Sequence, residues 1–204
     1  LISFAGGVDD LIARVPKRLT NHPGLVHDRI KWRVKKRKYD SALELLLSIS
    51  ETDPKKLQRP EKFWRQKNIL IRRLIDNHQY AIAYELATNH GLTTNADIAD
   101  AEWMAGWISI TFLDNPQDAL QHFTEIWNVS SRPISKARAA YWIGKSYEEI
   151  GNKEESQEWY NKASIYNLTF YGQLAGAKTE ENIFFDPVVN IPREESQESI
   201  NLNK

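Results

Sequence analysis

The chain has 204 residues, of which 41% are hydrophobic, 26% are charged and none is Cys. This composition supplies enough apolar side chains for a packed core, and it excludes disulfides, thiolate metal sites and a cysteine nucleophile. The formal net charge is zero, but residues 1–80 carry 18 Lys and Arg against 9 Asp and Glu, whereas the rest of the chain carries 9 against 18. No apolar run reaches the roughly 18 residues of a membrane-spanning helix, so the sequence predicts none.

Apolar spacing, together with capping and breaking residues, predicts helices in pairs along the chain. Residues 1–22 are expected to be an incomplete lead-in, and a helical superhelix domain is expected over residues 23–178. In the last pair, Pro133 stands at a favoured first-turn position and Gly151 marks a helix end. Residues 179–204 are expected to be a linker or a disordered tail. The predicted helices are 25–37 and 39–48, 60–76 and 80–89, 96–113 and 116–127, 133–150 and 153–165, and 169–177.

A small residue recurs in the second helix of each predicted pair, at spacings of 41, 36 and 37 residues. This period is slightly longer than the ~34 residues of a tetratricopeptide repeat. A small side chain lets the two helices of a pair approach closely, and Gly106 and Gly144 fit the same role on the facing helices. The sequence therefore predicts an all-α fold, a right-handed superhelical array of helical hairpins resembling tetratricopeptide repeats. The recurring small residues are Ala42, Ala83, Ala119 and Ser156.

Residues 101–175 also carry an ordered set of motifs that ordinary tetratricopeptide repeats do not share. The set resembles the superhelix domain of soluble lytic murein transglycosylases, densely over these residues and more loosely over residues 25–178. The residues that carry the resemblance are Ala101-Glu102-Trp103, Gly106-Trp107, Ser135, Ala137-Arg138-Ala139, Tyr141-Trp142 and Tyr171-Gly172-Gln173-Leu174-Ala175.

This resemblance implies a function in the bacterial periplasm. Enzymes of that family cleave peptidoglycan glycan strands between N-acetylmuramic acid and N-acetylglucosamine, without water, and leave a 1,6-anhydro end. One Glu in a C-terminal lysozyme-like domain acts as the acid and then as the base, while the superhelix is a scaffold that confines the strand. The resemblance therefore implies two partners, the glycan strands of peptidoglycan and the lysozyme-like catalytic domain of the same polypeptide.

The motifs of that catalytic domain are not found in these 204 residues. Met104 is the only methionine, so the family's Gly-Leu-Met-Gln motif is absent. Glu195-Ser196 and Glu198-Ser199 supply a Glu-Ser dipeptide, but their polar surroundings lack the apolar burial that raises the pKa of a general acid. We therefore expect no catalytic residue in this chain. The alternative function is a tetratricopeptide-like scaffold for protein interactions, with no enzymatic partner domain.

Seven of the ten residues from Arg29 to Lys38 are basic. An apolar stripe at every fourth position predicts a helix with one buried side, so a solvated basic face is the main interpretation. The alternatives are an anionic ligand, such as the carboxylates of peptidoglycan stems, and nucleic acid, which we do not expect as a partner. The candidate ligand contacts in this run are Arg33, Lys35, Lys36, Arg37 and Lys38.

Trp103, Trp107 and Tyr141 are the other candidate ligand contacts, because sugar rings stack on aromatic faces. Their helical spacing beside Gly106 and Gly144 also fits packing between hairpins, which is the main interpretation. The five His residues form no His-Glu-x-x-His pattern and no Cys supports them. The sequence therefore predicts no metal site and no cofactor.

Overall fold

The computed structural model describes residues 8–50 and 59–179, and these residues form an all-α array in which no strand is present. The predicted fold class is therefore confirmed. The array begins with a short helix, α1 (Val8–Ala13), and a turn of 3-10 helix (Lys17–Leu19). The other helices are α2 (Pro23–Lys35), α3 (Tyr39–Ser50), α4 (Pro60–Asp76), α5 (Tyr80–Thr88), α6 (Asn95–Phe112), α7 (Pro116–Val129), α8 (Pro133–Ile150), α9 (Lys153–Ser164) and α10 (Phe170–Gly176).

Four hairpins follow one another, formed by α2 and α3, α4 and α5, α6 and α7, and α8 and α9, with α10 packed on the last. The main contacts join helices that are neighbours in sequence or one helix apart. The predicted helix bounds hold to within two residues. For example, α4 and α8 have the predicted ends, whereas α2 begins at Pro23 and ends at Lys35, two residues earlier than predicted.

Helix starts follow their capping residues. The helices α2, α4, α7 and α8 begin with Pro, whose fixed φ suits the first turn. Proline lacks an N–H, but this costs no hydrogen bond there, because the first N–H groups of a helix have no acceptor within it. Five N-cap side chains accept a hydrogen bond from a backbone N–H of the first turn, which satisfies a group that the helix itself leaves unpaired. These N-cap residues are His22, Thr94, Asn115, Asn152 and Thr169.

The turn inside each hairpin has one residue in the left-handed conformation, five positions before the recurring small residue. In the first hairpin, Lys38 N–H also donates to the carbonyl of Arg33 at 2.9 Å, the hydrogen bond that closes a Schellman-type helix end. Three of the four turns place a side chain where glycine is preferred, at a cost of about 1 kcal/mol each. The left-handed residues, with φ from 51° to 90°, are Arg37, His78, Asp114 and Gly151.

Close packing within the hairpins depends on the small residues, all four of which are buried. On the facing helices, a Cβ added at Gly106 would lie 2.7 Å from a ring carbon of Phe123. A Cβ added at Gly144 would lie 2.9 Å from a ring carbon of Tyr160. Both distances are shorter than real contacts allow, so the predicted close approach at these two glycines is confirmed.

The buried side chains form three clusters in chain order. The first joins the first two hairpins to α6, the second lies among α6, α7 and α8, and the third joins α8 and α9 to α10. In residues 8–50 and 59–179, no helix is both long enough and apolar enough to cross a membrane.

Some sequence predictions fall outside the described part of the chain. These are the first seven residues of the lead-in, both Glu-Ser dipeptides, and the predicted tail apart from Thr179.

Candidate ligand-binding surface

The first helices of the first three hairpins line an open groove of about 840 Å³, which we call the first-helix groove. It is bordered by α2, α4 and α6, and its walls mix positive, negative and amide side chains. Because charges of both signs line it, the groove offers hydrogen bonds to a polar ligand rather than a field of one sign. The polar residues that line it are His27, Asp28, Lys31, Glu61, Lys62, Arg65, Gln66, Asn68, Asp97 and Asp100.

A second cavity of about 370 Å³ lies where the first turns of α6 and α8 meet the α7–α8 connection, and we call it the Arg138 cavity. Asp100 lines both this cavity and the first-helix groove. The Asp100 carboxylate accepts hydrogen bonds from Trp64 Nε1 at 2.9 Å and from Asn68 Nδ2 at 3.4 Å. These bonds join α4 to α6, so the groove and the cavity share a wall that is held in place.

Two of the predicted aromatic contacts lie on the same stripe of α6 as Asp100. Trp103 comes three residues after Asp100, and Trp107 comes four residues after Trp103. The two indole rings are parallel within 6°, with 5.8 Å between their centroids. The guanidinium of Arg138, from α8, lies 5.1 Å from the Trp103 ring centroid. Both indoles are partly buried against the core, so their packing role is present in the structure.

Tyr141, the third aromatic candidate, lies in a separate cluster of rings. Its centroid is 5.5 Å from that of Tyr160, 5.4 Å from that of Tyr171 and 5.9 Å from that of Trp142. These rings belong to α8, α9 and α10, and Tyr141 therefore helps to attach α10 to the last hairpin. The structure brings Trp103 and Trp107 together, but it places Tyr141 in this other packing cluster.

The basic candidates lie at the end of α2 and in the turn that follows it. Lys35 to Lys38 are exposed, and Arg37 is the left-handed residue of that turn. The Lys38 ammonium lies 5.2 Å from the centroid of the Trp32 ring, and cations at this end of a helix interact favourably with its dipole. This group belongs to the first hairpin and the tryptophans to the third, so the described structure does not bring the two predicted sets together. Of the whole basic run, Lys31 lines the first-helix groove.

A polar network that the sequence did not predict joins α5, α6 and α7. Glu102 accepts a hydrogen bond from His90 Nε2 at 3.0 Å and another from His122 Nδ1 at 2.5 Å. Leu92 N–H donates to His90 Nδ1 at 3.0 Å, which fixes the tautomer in which Nε2 of His90 carries the proton. Burial alone would raise the pKa of Glu102, but the hydrogen bonds from His122 and His90 outweigh it and lower that pKa to about 2.

The same network continues on the far side of His122. The Tyr84 hydroxyl lies 2.9 Å from His122 Nε2 and 3.4 Å from a carboxylate oxygen of Asp118. Burial and the neighbouring Asp118 carboxylate raise the pKa of Tyr84. The network therefore ties the second hairpin to the third. The network lines neither the first-helix groove nor the Arg138 cavity.

Lys67 is a second polar group that the sequence did not predict to have a role. It lies on the buried face of α4 with 1% of its surface exposed, although lysine is normally a surface residue. Its ammonium donates to the carbonyl of Asn89, the residue that ends α5. A cation is favoured at the C-terminal end of a helix. Even so, burial lowers the pKa of Lys67 to about 8.

This lowered pKa makes the stability of the chain depend on Lys67 above pH 8. Between pH 8 and the unfolded value near 10.5, the unfolded chain binds a proton at Lys67 that the folded chain has released. Stability relative to Lys67→Met should therefore rise by about 2 kcal/mol between pH 7 and pH 9.5. Urea unfolding of both proteins at several pH values measures this, with Lys62→Met, at an exposed position of the same helix, as the control.

The described residues contain no group of three or more His, Asp or Glu side chains placed to hold a metal ion. A scan against protein-family models finds no match for the chain. A search of curated proteins finds no significant relative, and a search of solved structures finds no significant structural neighbour.

Proposed function

We propose that the chain is the scaffold and glycan-confining domain of a peptidoglycan lytic transglycosylase of the periplasm. In this proposal the glycan strand lies along the first-helix groove. A lysozyme-like catalytic domain of the same polypeptide cleaves the linkage between N-acetylmuramic acid and N-acetylglucosamine and leaves the 1,6-anhydro product. The chain described here contributes binding and positioning, and no residue of it is assigned a catalytic role.

The observation that carries the proposal is that the groove and the Arg138 cavity share Asp100 and together border the first helices of four hairpins, with two parallel tryptophans on the stripe that leads away from Asp100. A sugar ring presents hydroxyl groups around its edge and C–H groups on its faces, so it suits a surface of mixed polar and aromatic side chains. An extended surface can hold a polymer by many weak contacts and raise its effective concentration at an attached enzyme.

The charge pattern of the groove argues against nucleic acid as the ligand. A nucleic-acid groove neutralises phosphates with clustered Lys and Arg. Here the three cations Lys31, Lys62 and Arg65 share the lining with four carboxylates. A nearly neutral glycan backbone meets no net repulsion on such a surface, whereas a phosphate backbone does.

The second candidate function is a scaffold for protein interactions, and one observation favours it. Four apolar side chains at the last turn and on α10 are more than a third exposed, which is unusual for so short a segment unless another surface covers them. These residues are Ile165, Leu168, Phe170 and Leu174.

Co-sedimentation with purified sacculi tests the glycan proposal. We expect the wild-type chain to sediment with sacculi at physiological salt, and Lys62→Ala combined with Arg65→Ala to reduce the bound fraction about threefold or more. A variant with Lys35, Lys36 and Lys38 changed to Ala is the matched control, because it removes exposed charge outside the groove. Its effect should be confined to low salt, where exposed charges are not screened.

Two outcomes would contradict the proposal in different ways. If the wild-type chain does not sediment with sacculi, glycan binding is wrong and the protein-interaction scaffold becomes the better proposal. If the chain alone clears a suspension of sacculi, measured as falling turbidity, the assignment of a purely non-catalytic role is wrong.

A further inference from the structure

Arg138 is a partly buried cation of the cavity that forms no ion pair within the described residues. Its Nε has no hydrogen-bond partner although that atom is buried. In the described ranges, no carboxylate lies within ion-pair distance of its guanidinium, and Asp100 acts on it from further away. Burial accordingly lowers the pKa of Arg138. A guanidinium that is partly removed from water normally has an anionic partner, so Arg138 is available to bind an anionic ligand.

The orientation of Arg138 supports this conclusion. Its guanidinium lies 5.1 Å from the centroid of the Trp103 ring, and the Trp103 ring in turn stacks on Trp107. A guanidinium that rests on an aromatic face keeps the N–H groups at its edge available for hydrogen bonds. Two parallel N–H groups match the two oxygens of a carboxylate.

The rest of the cavity selects a small ligand of single charge. Arg132, which is exposed, adds a second cation, and Ser130, Ser131 and Ser135 add hydroxyl groups that bond to amides or to a carboxylate. The Asp100 carboxylate on the shared wall opposes a group with two negative charges such as phosphate. The volume of about 370 Å³ suits a segment of a few atoms beyond the anion, not a large ligand.

We propose that the Arg138 cavity binds the terminal carboxylate of a short peptide, with Arg138 as the paired guanidinium and Arg132 as the second cation. We infer that the peptide is a stem of peptidoglycan, an inference that rests on the function proposed above. The bound stem would anchor the glycan strand while the sugars of that strand lie in the first-helix groove. The chemistry recognised is a free carboxylate next to a peptide amide, and an ordinary protein C-terminus presents the same chemistry with the opposite stereochemistry.

Titration of the full 204-residue chain, followed by nuclear magnetic resonance of the Trp indole N–H groups, tests this site. The probes are N-acetyl-D-alanyl-D-alanine, its C-terminal amide, the L,L isomer of the free acid, and inorganic phosphate. We expect the free D,D acid to shift the Trp103 indole signal, which is identified by its loss in Trp103→Phe. The amide should bind at least tenfold more weakly, because it cannot form the charged pair.

Variants assign the binding to named groups. Arg138→Gln should weaken the free acid about tenfold or more, and Arg132→Gln about threefold. Asp100→Asn should strengthen it, because the opposing charge is removed while an oxygen remains to accept from Trp64. Arg132 is exposed, so its variant tests the site even if Arg138→Gln unfolds, and circular dichroism reports the folding of both.

The proposal is overturned if the amide binds as tightly as the acid, if phosphate binds more tightly than the acid, or if Arg132→Gln binds with wild-type affinity. A preference for the L,L isomer would overturn the peptidoglycan source. Failure here is separable from failure of the proposed function. If the carboxylate site fails its test but the chain still sediments with sacculi, glycan binding remains supported without this site. If the chain does not sediment with sacculi, glycan binding itself is contradicted.

Discussion

Replacing Gly172 with Ala should detach α10 from the last hairpin. A Cβ at this position would lie 2.0 Å from the backbone carbonyl oxygen of Tyr166 and 3.0 Å from Thr169 Oγ1. A backbone carbonyl is not free to rotate away as a side chain is, so the first turn of α10 must shift. We expect the free energy of unfolding to fall by about 3 kcal/mol or more. Urea unfolding followed by circular dichroism measures the change.

The matched control is Gly176→Ala, at the other end of the same helix. A Cβ there meets nothing within 4 Å, so we expect a change of less than about 0.5 kcal/mol. The two variants differ only in the position of one methyl group on one short helix. Equal stabilities for them would show that the close approach of α10 to Tyr166 is not needed by the folded chain.

Replacing Glu102 with Gln should destabilise the junction of the second and third hairpins. The carboxylate accepts from both His90 and His122, whereas an amide turns an N–H group toward one of these donors. Because the pKa of Glu102 is about 2 when folded and about 4.5 when unfolded, its stabilising contribution is present above pH 4.5 and is lost as the pH falls toward 2. The expected loss in Glu102→Gln is about 2–3 kcal/mol at pH 7.

The pH dependence separates this effect from a general loss of packing. The stability difference between wild type and Glu102→Gln should shrink as the pH is lowered from 5 toward 2, because Glu102 of the unfolded wild-type chain binds a proton below about pH 4.5 and the folded carboxylate does so only near pH 2. Glu125→Gln, at an exposed position on α7, should match wild type throughout. A difference between wild type and Glu102→Gln that stays constant down to pH 3 would contradict the role assigned to the charge of Glu102.

Much of the fold follows from local sequence signals. Pro at helix starts, the recurring small residue and the two mid-helix glycines each act within a few residues or within one hairpin, which is why the predicted bounds hold so closely. The left-handed conformation of the turn residues was harder to predict from the sequence. Gly151 is a familiar stop signal, but Arg37, His78 and Asp114 occupy the same backbone conformation without the residue that normally indicates it.

The candidate site was only partly predictable, because its members meet across hairpins. Trp103 and Trp107 are neighbours on one helix, so spacing alone places them together. Arg138 reaches Trp103 from the next hairpin, while His90 reaches Glu102 from the α5–α6 connection and His122 reaches it from α7. Sequence separation hides such contacts. Glu102 and Arg138 belong to the motifs that carry the resemblance, but their partners are visible only in three dimensions.

The connection of each helix mainly to its neighbours in sequence has a consequence for how the chain folds. Little of the chain has to be ordered before a contact forms, so the entropy of loop closure is small at every step. A hairpin leaving the ribosome finds its packing partner in the hairpin made just before it. The array is therefore suited to assembly from one end to the other during synthesis, with each completed unit acting as the template for the next.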